Sequence, residues 1–192
     1  MKIGVLALQG AFIEHIKMLR QLGLEAVEVR LPHQLDQLDG LIIPGGESTT
    51  IGKLASEYGL IAPLRRFART KPTWGTCAGM IFLAKDIGID EQPILGAMDI
   101  TVDRNAFGRQ IDSFETDLPI AGLEGAPFHA VFIRAPVVTA VEPGVDVLAR
   151  LDDGRIVAVR QGRLLATAFH PELTDDLRLH SSFCDIVKET IV

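Results

Sequence analysis

The first 75 residues alternate between short apolar runs and amphipathic stretches, and this alternation constrains the fold more than any other feature of the sequence. Residues 2–8, KIGVLAL, form a continuous aliphatic run, which is typical of a strand covered on both faces. Residues 11–23 then place apolar side chains on one helical stripe, and Gly23 is positioned to end that helix. Strands and helices that alternate at this spacing predict right-handed βαβ units.

The two halves of the chain have different patterns. In the first half, further strands are expected at 24–30 and 40–46, helices at 48–58 and 60–69, and a strand ending near Gly75. In the second half, turn signals separate mostly antiparallel or mixed strands, which are followed by a last helix. These stretches are 94–105, 109–120, 128–136, 145–172 and about 175–189. We therefore expect an α/β fold with a doubly wound, mixed and mainly parallel sheet, helices on both faces and a single domain over residues 1–192.

Charge and composition argue against several classes of protein. The chain carries a formal net charge of −6 and shows no dense basic cluster, which disfavours a nucleic-acid surface. No apolar run approaches the roughly 18 residues that a membrane span requires. The apolar N-terminal run leads directly into an amphipathic pattern, which predicts a strand and not a signal peptide. The two cysteines, Cys77 and Cys184, suggest neither a disulfide framework nor a zinc site, and a cytoplasmic protein is expected.

Cys77 lies at the centre of GTCAG, a stretch with the G-x-nucleophile-x-G form of a nucleophile elbow. Such an elbow is a sharp turn from strand to helix, which leaves little room beside it and forces the nucleophile into a strained backbone conformation. A thiol at a helix N-terminus is favoured as the thiolate, and the Ala78 N–H is placed to donate to an oxyanion. On this motif alone, a buried structural cysteine at a tight turn remains an alternative.

A second motif, FHPEL, supplies a candidate base. Residues two apart on a strand face the same side, so we expect His170 and Glu172 to project together from a strand end. Pro171 suits a strand terminus because it lacks a ladder donor. A carboxylate is well suited to orient a histidine base, although most isolated H-x-E pairs are ordinary surface residues.

A third motif, PGGEST, follows an apolar strand and precedes a predicted helix. Two glycines there allow close approach of the backbone and offer N–H groups to an anionic oxygen. The spacing does not fit a phosphate-binding P-loop, because five residues lie between Gly46 and Gly52, and Lys53 is followed by Leu54. A capped helix start, with Ser48 or Thr49 as the cap, is compatible with the same residues.

The remaining histidines and the second cysteine give no site of their own. His15, His33, His129 and His180 have no ligand spacing with one another or with a cysteine, so no metal site is predicted. Cys184 lies within the last helical pattern and is expected in the core. Glu14 and His15 are expected to be a solvated pair on the first helix.

Taken together, the motifs resemble those of the triad-type glutamine amidotransferases, whose glutaminase domains carry a G-x-C-x-G elbow and a later H-x-E. The order and extent of GVLALQGAFIEH, PGGEST, GTCAG, DRNAFGRQIDSFE, FIRAP and FHPELT, from Gly4 to Thr174, are similar to those of the glutaminase subunits of pyridoxal 5′-phosphate synthases. Ala106 is a departure, because serine is expected there. The resemblance implies a class I glutamine amidotransferase fold, which is flavodoxin-like, and a subunit that needs no cofactor or metal.

The resemblance also implies roles for individual residues. Cys77 would attack the side-chain amide carbon of L-glutamine, while His170 would transfer protons and Glu172 would orient the imidazole. Residues that would border the glutamine site are Gly46, Glu47, Ser48, Arg104, Ile133 and Arg134. The oxyanion hole would combine the Ala78 N–H with one from Gly45–Gly46.

The implied partner is a (β/α)₈-barrel synthase subunit that would receive the ammonia in a large hetero-oligomer, and Gln9 would take part in coupling the two subunits. No nucleic-acid or membrane partner is expected. Two alternatives stay open. A free-standing cysteine hydrolase, such as a γ-glutamyl hydrolase, would be fully active without a partner. A catalytically silent subunit would bind the partner without chemistry, although intact Cys77, His170 and Glu172 disfavour it.

Overall fold

A computed structural model describes residues 1–107 and 113–191 of the chain. Its helices are α1 Phe12–Gln21, α2 Ser48–Glu57, α3 Ile61–Thr70, α4 Ala78–Leu83 and α5 Arg178–Ile191, with short 3₁₀ helices at Pro32–Leu35 and Pro171–Leu173. Its strands are β1 Lys2–Leu6, β2 Glu25–Val29, β3 Gly40–Ile43, β4 Thr73–Thr76, β5 Ala84–Asp86, β6 Met98–Asp103, β7 Ser113–Leu118, β8 Phe128–Ile133, β9 Val137–Val141, β10 Asp146–Arg150, β11 Ile156–Gln161 and β12 Leu164–Thr167.

The main sheet has the strand order β2-β1-β3-β4-β12-β11-β9-β6-β5, and β10 pairs with β11 at one side of this path. The pairs from β2 to β12 and the pair β5–β6 are parallel, whereas β12–β11, β11–β9, β9–β6 and β10–β11 are antiparallel. Strands β7 and β8 form a separate antiparallel hairpin. The predicted α/β fold with a mixed, mainly parallel sheet is confirmed.

The strand order reverses at β1, and this reversal distributes the helices. The chain crosses from β1 to β2 on one side and later from β3 to β4 on the other. Because βαβ crossovers are right-handed, connections in opposite directions place their helices on opposite faces of the sheet. Strands β3, β4 and β12 are buried along their whole length, as covered parallel strands are.

The carboxyl ends of β3, β4 and β12 meet at one edge of the sheet. Ile43 pairs with Gly75, and Thr76 pairs with Thr167. Loops that follow neighbouring parallel strands therefore converge here. This edge, at a switch in strand order, is where open α/β sheets bind their ligands.

The predicted element boundaries agree with the structure to within a few residues in the first half. Gly23 has φ 75, which suits its predicted position just after α1. The sequence pattern missed two strands, β5 and β9. β5 has three residues, of which two are exposed, and β9 follows Arg134, whose φ of 43 redirects the chain after β8. Of the strand expected over 109–120, residues 109–112 lie outside the described residues.

The longest helix described is α5, with 14 residues. Nowhere in residues 1–107 and 113–191 does a helix have the length and hydrophobicity needed to cross a bilayer.

Candidate active site

The elbow around Cys77 has the strained geometry that the sequence predicts. β4 ends at Thr76, α4 begins at Ala78, and Cys77 between them has φ 49 and ψ −106. Only one other non-glycine residue among those described, Arg134, has a positive φ. A Cβ on Gly75 would lie 2.4 Å from the Gly79 carbonyl oxygen, and a Cβ on Gly79 would lie 2.0 Å from that of Ile43. Glycine is therefore required on both sides of Cys77.

Two contacts hold Cys77 at the sheet edge. Its N–H donates to the Thr167 carbonyl at 2.8 Å, which ties the elbow to β12. Its Sγ lies 3.8 Å from the Ile133 carbonyl, at the end of β8. The residue is 6% exposed and is a free thiol. The thiol is thus fixed in place while one side of it borders the cavity described below.

His170 and Glu172 do come together, although the expected strand geometry is wrong. β12 ends at Thr167, and Glu172 lies in the 3₁₀ helix Pro171–Leu173, which His170 precedes. The tight turn, and not the strand pleat, brings His170 Nδ1 to 2.7 Å from Glu172 Oε1. A further bond from the His170 N–H to the Val131 carbonyl, 2.8 Å long, fixes the backbone.

The surroundings of His170 favour its charged form. Burial disfavours the imidazolium, but hydrogen bonds to Cys77 and Glu172 and the charges of these two residues outweigh it, so the pKa of His170 is raised to about 10. At neutral pH the His170 side chain is therefore an imidazolium that lies between Cys77 and Glu172. A histidine in contact with a cysteine is the arrangement that activates a thiol as a nucleophile.

The glycine loop after β3 packs directly on this pair. A Cβ on Gly45 would lie 2.4 Å from His170 Cε1 and 3.3 Å from Cys77 Cβ. The Gly45 carbonyl accepts the Ala11 N–H at 3.0 Å. Since no cis peptide is described, the Gly46 N–H points away from Ala11. The loops after β1 and β3 are thus joined at the sheet edge.

Gln9 and Glu47 fix the rest of this loop. Gln9 Oε1 accepts the Glu47 N–H at 2.7 Å, and a Cβ on Gly46 would lie 2.3 Å from the same oxygen. The expected cap of α2, Ser48 or Thr49, is wrong, because Glu47 itself accepts the N–H groups of Thr49 and Thr50 at 3.1 and 2.7 Å. Slight burial opposes ionisation of Glu47, but these bonds and those from both threonine hydroxyls lower its pKa to about 2. Its carboxylate therefore caps the N-terminus of α2.

A cavity of about 570 Å³ lies beside Cys77. The predicted site residues that line it are Gly46, Glu47, Ser48, Cys77, Ala78, Arg104 and Arg134. Thr49, Ile81 and Asn105 also line it and were not predicted. Arg104 Nη1 donates to Gln92 Oε1, so a buried amide holds this guanidinium. Two arginines in one cavity suit a carboxylate ligand, which they bind through paired N–H groups.

Five predicted site residues do not line the cavity. These are His170, Glu172, Gly45, Ile133 and Gln9, whose contacts are those given above. A larger cavity of about 620 Å³ lies beside Pro32–Leu35 and contains none of the predicted site residues. The position of the cysteine and histidine, and not cavity size, identifies the candidate site.

The expected solvated pair on α1 is wrong for His15, which is completely buried. His15 Nδ1 lies 2.9 Å from His180 Nε2, and His15 Nε2 lies 3.4 Å from Glu172 Oε2 and 3.3 Å from Thr76 Oγ1. Its place one turn before Leu19 on the apolar stripe of the helix was the signal that could have revealed its burial.

Cys184 is buried on α5 as expected, and burial raises its pKa to about 11. Within the described part of the chain, no group of three or more histidine, cysteine, aspartate or glutamate side chains is arranged to hold a metal ion.

Known proteins resemble this chain over nearly its whole length. Residues 5–189 match the model of the SNO glutamine amidotransferase family. The pyridoxal 5′-phosphate synthase subunit PdxT of Herpetosiphon aurantiacus is 63% identical over 187 residues, covering 95% of this chain and 98% of that protein. A crystal structure of a glutamine amidotransferase has a TM-score of 0.92 and 54% identity, covering 98% of this chain and all of that one. The structure of PurLQS from Thermotoga maritima, at 19% identity, shares the fold, with a TM-score of 0.67 over 99% of this chain and 96% of that chain.

Proposed function

Because the chain belongs to the SNO glutamine amidotransferase family, we propose that it hydrolyses L-glutamine to L-glutamate and ammonia as the glutaminase subunit of a pyridoxal 5′-phosphate synthase, in vitamin B6 biosynthesis. The observation that carries this proposal is the position of the Cys77 elbow beside His170, whose Nδ1 lies 2.7 Å from Glu172 Oε1. Relatives named as subunits of that synthase share more than half of their residues with this chain.

The proposed chemistry proceeds through a thioester. The Cys77 thiolate attacks the side-chain amide carbon of glutamine, and the carbonyl oxygen becomes an oxyanion. His170 gives its proton to the nitrogen, which leaves as ammonia, and the carbonyl of the thioester re-forms. His170, now neutral, takes a proton from a water that attacks the thioester, and glutamate and the thiolate are released. Glu172 holds the imidazole in the correct orientation throughout.

The proposed binding groups surround the cavity. Arg104 and Arg134 suit the glutamine α-carboxylate, while Gly46, Glu47, Ser48 and Ile133 contribute backbone contacts. The Ala78 N–H, together with one from Gly45–Gly46, would stabilise the oxyanion. The loop's fixed bond from Ala11 to the Gly45 carbonyl supports a defined orientation of that peptide.

The proposed destination of the ammonia is a (β/α)₈-barrel synthase subunit in a hetero-oligomer. Gln9 is suited to couple the two subunits, because its side chain holds the glycine loop through the Glu47 N–H. The glutaminase itself needs no cofactor in this scheme. We also place it in the cytoplasm, since both cysteines are free buried thiols.

Replacing Cys77 tests this proposal. In the complex with the barrel subunit, Cys77→Ala should abolish glutamate release, while synthesis of pyridoxal 5′-phosphate from added ammonium salt continues. Cys184→Ala, which removes the other buried thiol, should leave both activities unchanged. Retained glutamine hydrolysis in Cys77→Ala would contradict the proposed nucleophile.

A further inference from the structure

The second oxygen of the Glu172 carboxylate has an incomplete environment. Oε1 contacts His170, but the buried Oε2 accepts no hydrogen bond from any residue in the described ranges. His15 Nε2 faces it at 3.4 Å, and both side chains are completely buried. A buried carboxylate oxygen without a donor is costly, so the group that faces it matters to the site.

His15 is held in place from behind by His180. The two rings are 2.9 Å apart, between His15 Nδ1 and His180 Nε2, and Trp74 packs edge-on against both. The groups that face His15 are thus His180 from α5, Thr76 from β4, and Glu172 and His170 from the loop after β12.

Both histidines are neutral. Burial, and the repulsion that positive charge on His180 or His170 would exert, hold the pKa of His15 well below its ordinary value. Burial alone lowers the pKa of His180 to about 3. Of the two facing atoms, His15 Nδ1 and His180 Nε2, one must therefore carry a proton and the other must accept it, so only two arrangements are available.

One of these arrangements is clearly better. If His15 Nδ1 carried the proton, a bare Nε2 lone pair would face the Glu172 carboxylate, and His180 would keep a buried Nδ1–H that has no partner among the described residues. If His180 Nε2 carries it, His15 accepts at Nδ1, and its Nε2–H can donate to Thr76 Oγ1 at 3.3 Å and faces Glu172 Oε2 at 3.4 Å. Only an acceptor, His180 Nδ1, is then left without a partner, and orphaned donors are the rarer case in buried sites.

We propose that His15 is a positioning residue of the glutaminase site: its imidazole, oriented by His180, presents Nε2–H to Glu172 Oε2 and so fixes the carboxylate that orients His170. This inference rests on the proposed function. His15 ends the motif GVLALQGAFIEH, and the proposed chemistry gave no role to this residue. His15 touches no substrate in this scheme and acts only through Glu172.

Three variants test the proposal by steady-state kinetics in the complex with the barrel subunit. His15→Leu should lower kcat about tenfold or more, with KM within about twofold of wild type. His15→Gln, whose amide N–H can occupy the place of Nε2–H, should recover much of that loss. In a Glu172→Ala background, His15→Leu should cause no further loss of the residual kcat, because its target is gone. Met18→Ala, on the same helix and also buried, is the control; it should lower Tm and leave kcat within about twofold.

The outcomes separate this inference from the function on which it rests. If the wild-type complex is active, two results overturn the positioning role alone. Either His15→Leu retains full kcat, or the fold losses in kcat of His15→Leu and Glu172→Ala multiply in the double variant. An inactive wild-type complex overturns the proposed function and the inference together. If His15→Leu does not fold, His180→Phe serves instead, and its loss of kcat should likewise vanish in the Glu172→Ala background.

A spectroscopic readout is independent of activity. In ¹⁵N spectra of the full chain labelled on histidine, His15 and His180 should both show a protonated Nε2 and a bare Nδ1 at pH 7. A protonated Nδ1 on His15 would overturn the proposal.

Discussion

At Gly45 a single added methyl group would collide with the histidine of the candidate site. The built Cβ lies 2.4 Å from His170 Cε1, a distance that real Cβ contacts do not reach. Unlike Gly10 or Gly23, Gly45 has no positive φ that would itself demand glycine. The need for glycine at this position is thus a matter of space, chiefly beside His170.

Gly45→Ala should therefore impair chemistry more than stability. We expect kcat for glutamine hydrolysis in the complex to fall about a hundredfold, because a displacement of roughly 1 Å at a reacting group has that effect. Gly162→Ala is the control: its φ of 57 makes alanine strained, but no atom lies within 4 Å of the added Cβ. It should lower Tm and leave kcat unchanged. Equal kcat in Gly45→Ala and wild type would contradict the proposed role of His170.

At the level of single residues, the sequence predicted most of the candidate site but not His15, which lies behind it. GTCAG is recognisable because a strained turn requires glycines at fixed places, and the structure shows that requirement at Gly75 and Gly79. The place of His15 on the apolar stripe of α1 was a signal of its burial, but its contact with His180, 165 residues later in the chain, left no such signal. No local pattern contains a contact of that range.

Helices α1 and α5 meet through two neutral histidines, and this contact has a consequence for stability. In the unfolded chain a histidine takes up a proton near pH 6.5, but burial keeps folded His180 neutral down to about pH 3. The folded pKa is the lower one, so the unfolded state binds more protons as pH falls from 6.5. The free energy of unfolding must therefore decrease over that range, by at most roughly 1.4 kcal/mol per pH unit for each such group.

Removing one of these histidines should make the isolated chain less sensitive to acid. Between pH 7 and pH 4, Tm of His180→Phe should fall by less than Tm of wild type, because one group no longer favours the unfolded state. The measurement is a series of thermal melts across that range, with His33→Phe, which replaces an exposed histidine on the 3₁₀ helix Pro32–Leu35, as the control. Parallel curves for wild type and His180→Phe would show that His180 is not held neutral.

The elements themselves were predictable where hydrophobic periodicity is strong. Apart from the half-buried Lys2, β1 and β3 are buried along their whole length and appear as continuous apolar runs. Residues 170–172 were expected at the end of a strand, whereas Pro171–Leu173 is a 3₁₀ helix. The sequence H-P-E is compatible with a strand end and with a 3₁₀ helix, and the actual conformation depends on the bond from the His170 N–H to the Val131 carbonyl in a distant strand.

In the whole molecule, three loops far apart in sequence meet at one edge of a parallel sheet. The loops after β3, β4 and β12 supply Gly45, Cys77 and His170, and they are brought together by strand order alone. One continuous group of buried apolar residues runs from Ile3 to Val187. On that basis we infer that residues 1–192 form a single domain. The motifs indicated which residues belong to the candidate site, whereas only the fold explains why they are neighbours.

The central claim is that this chain is a glutaminase that serves a synthase partner. The most direct test measures glutamate release from L-glutamine by the purified chain, alone and with the (β/α)₈-barrel subunit. We predict little release by the chain alone and a large increase on adding the partner. Full activity without the partner, unchanged by its addition, would contradict the claim and indicate a free-standing hydrolase. No release in either case would indicate a catalytically silent subunit.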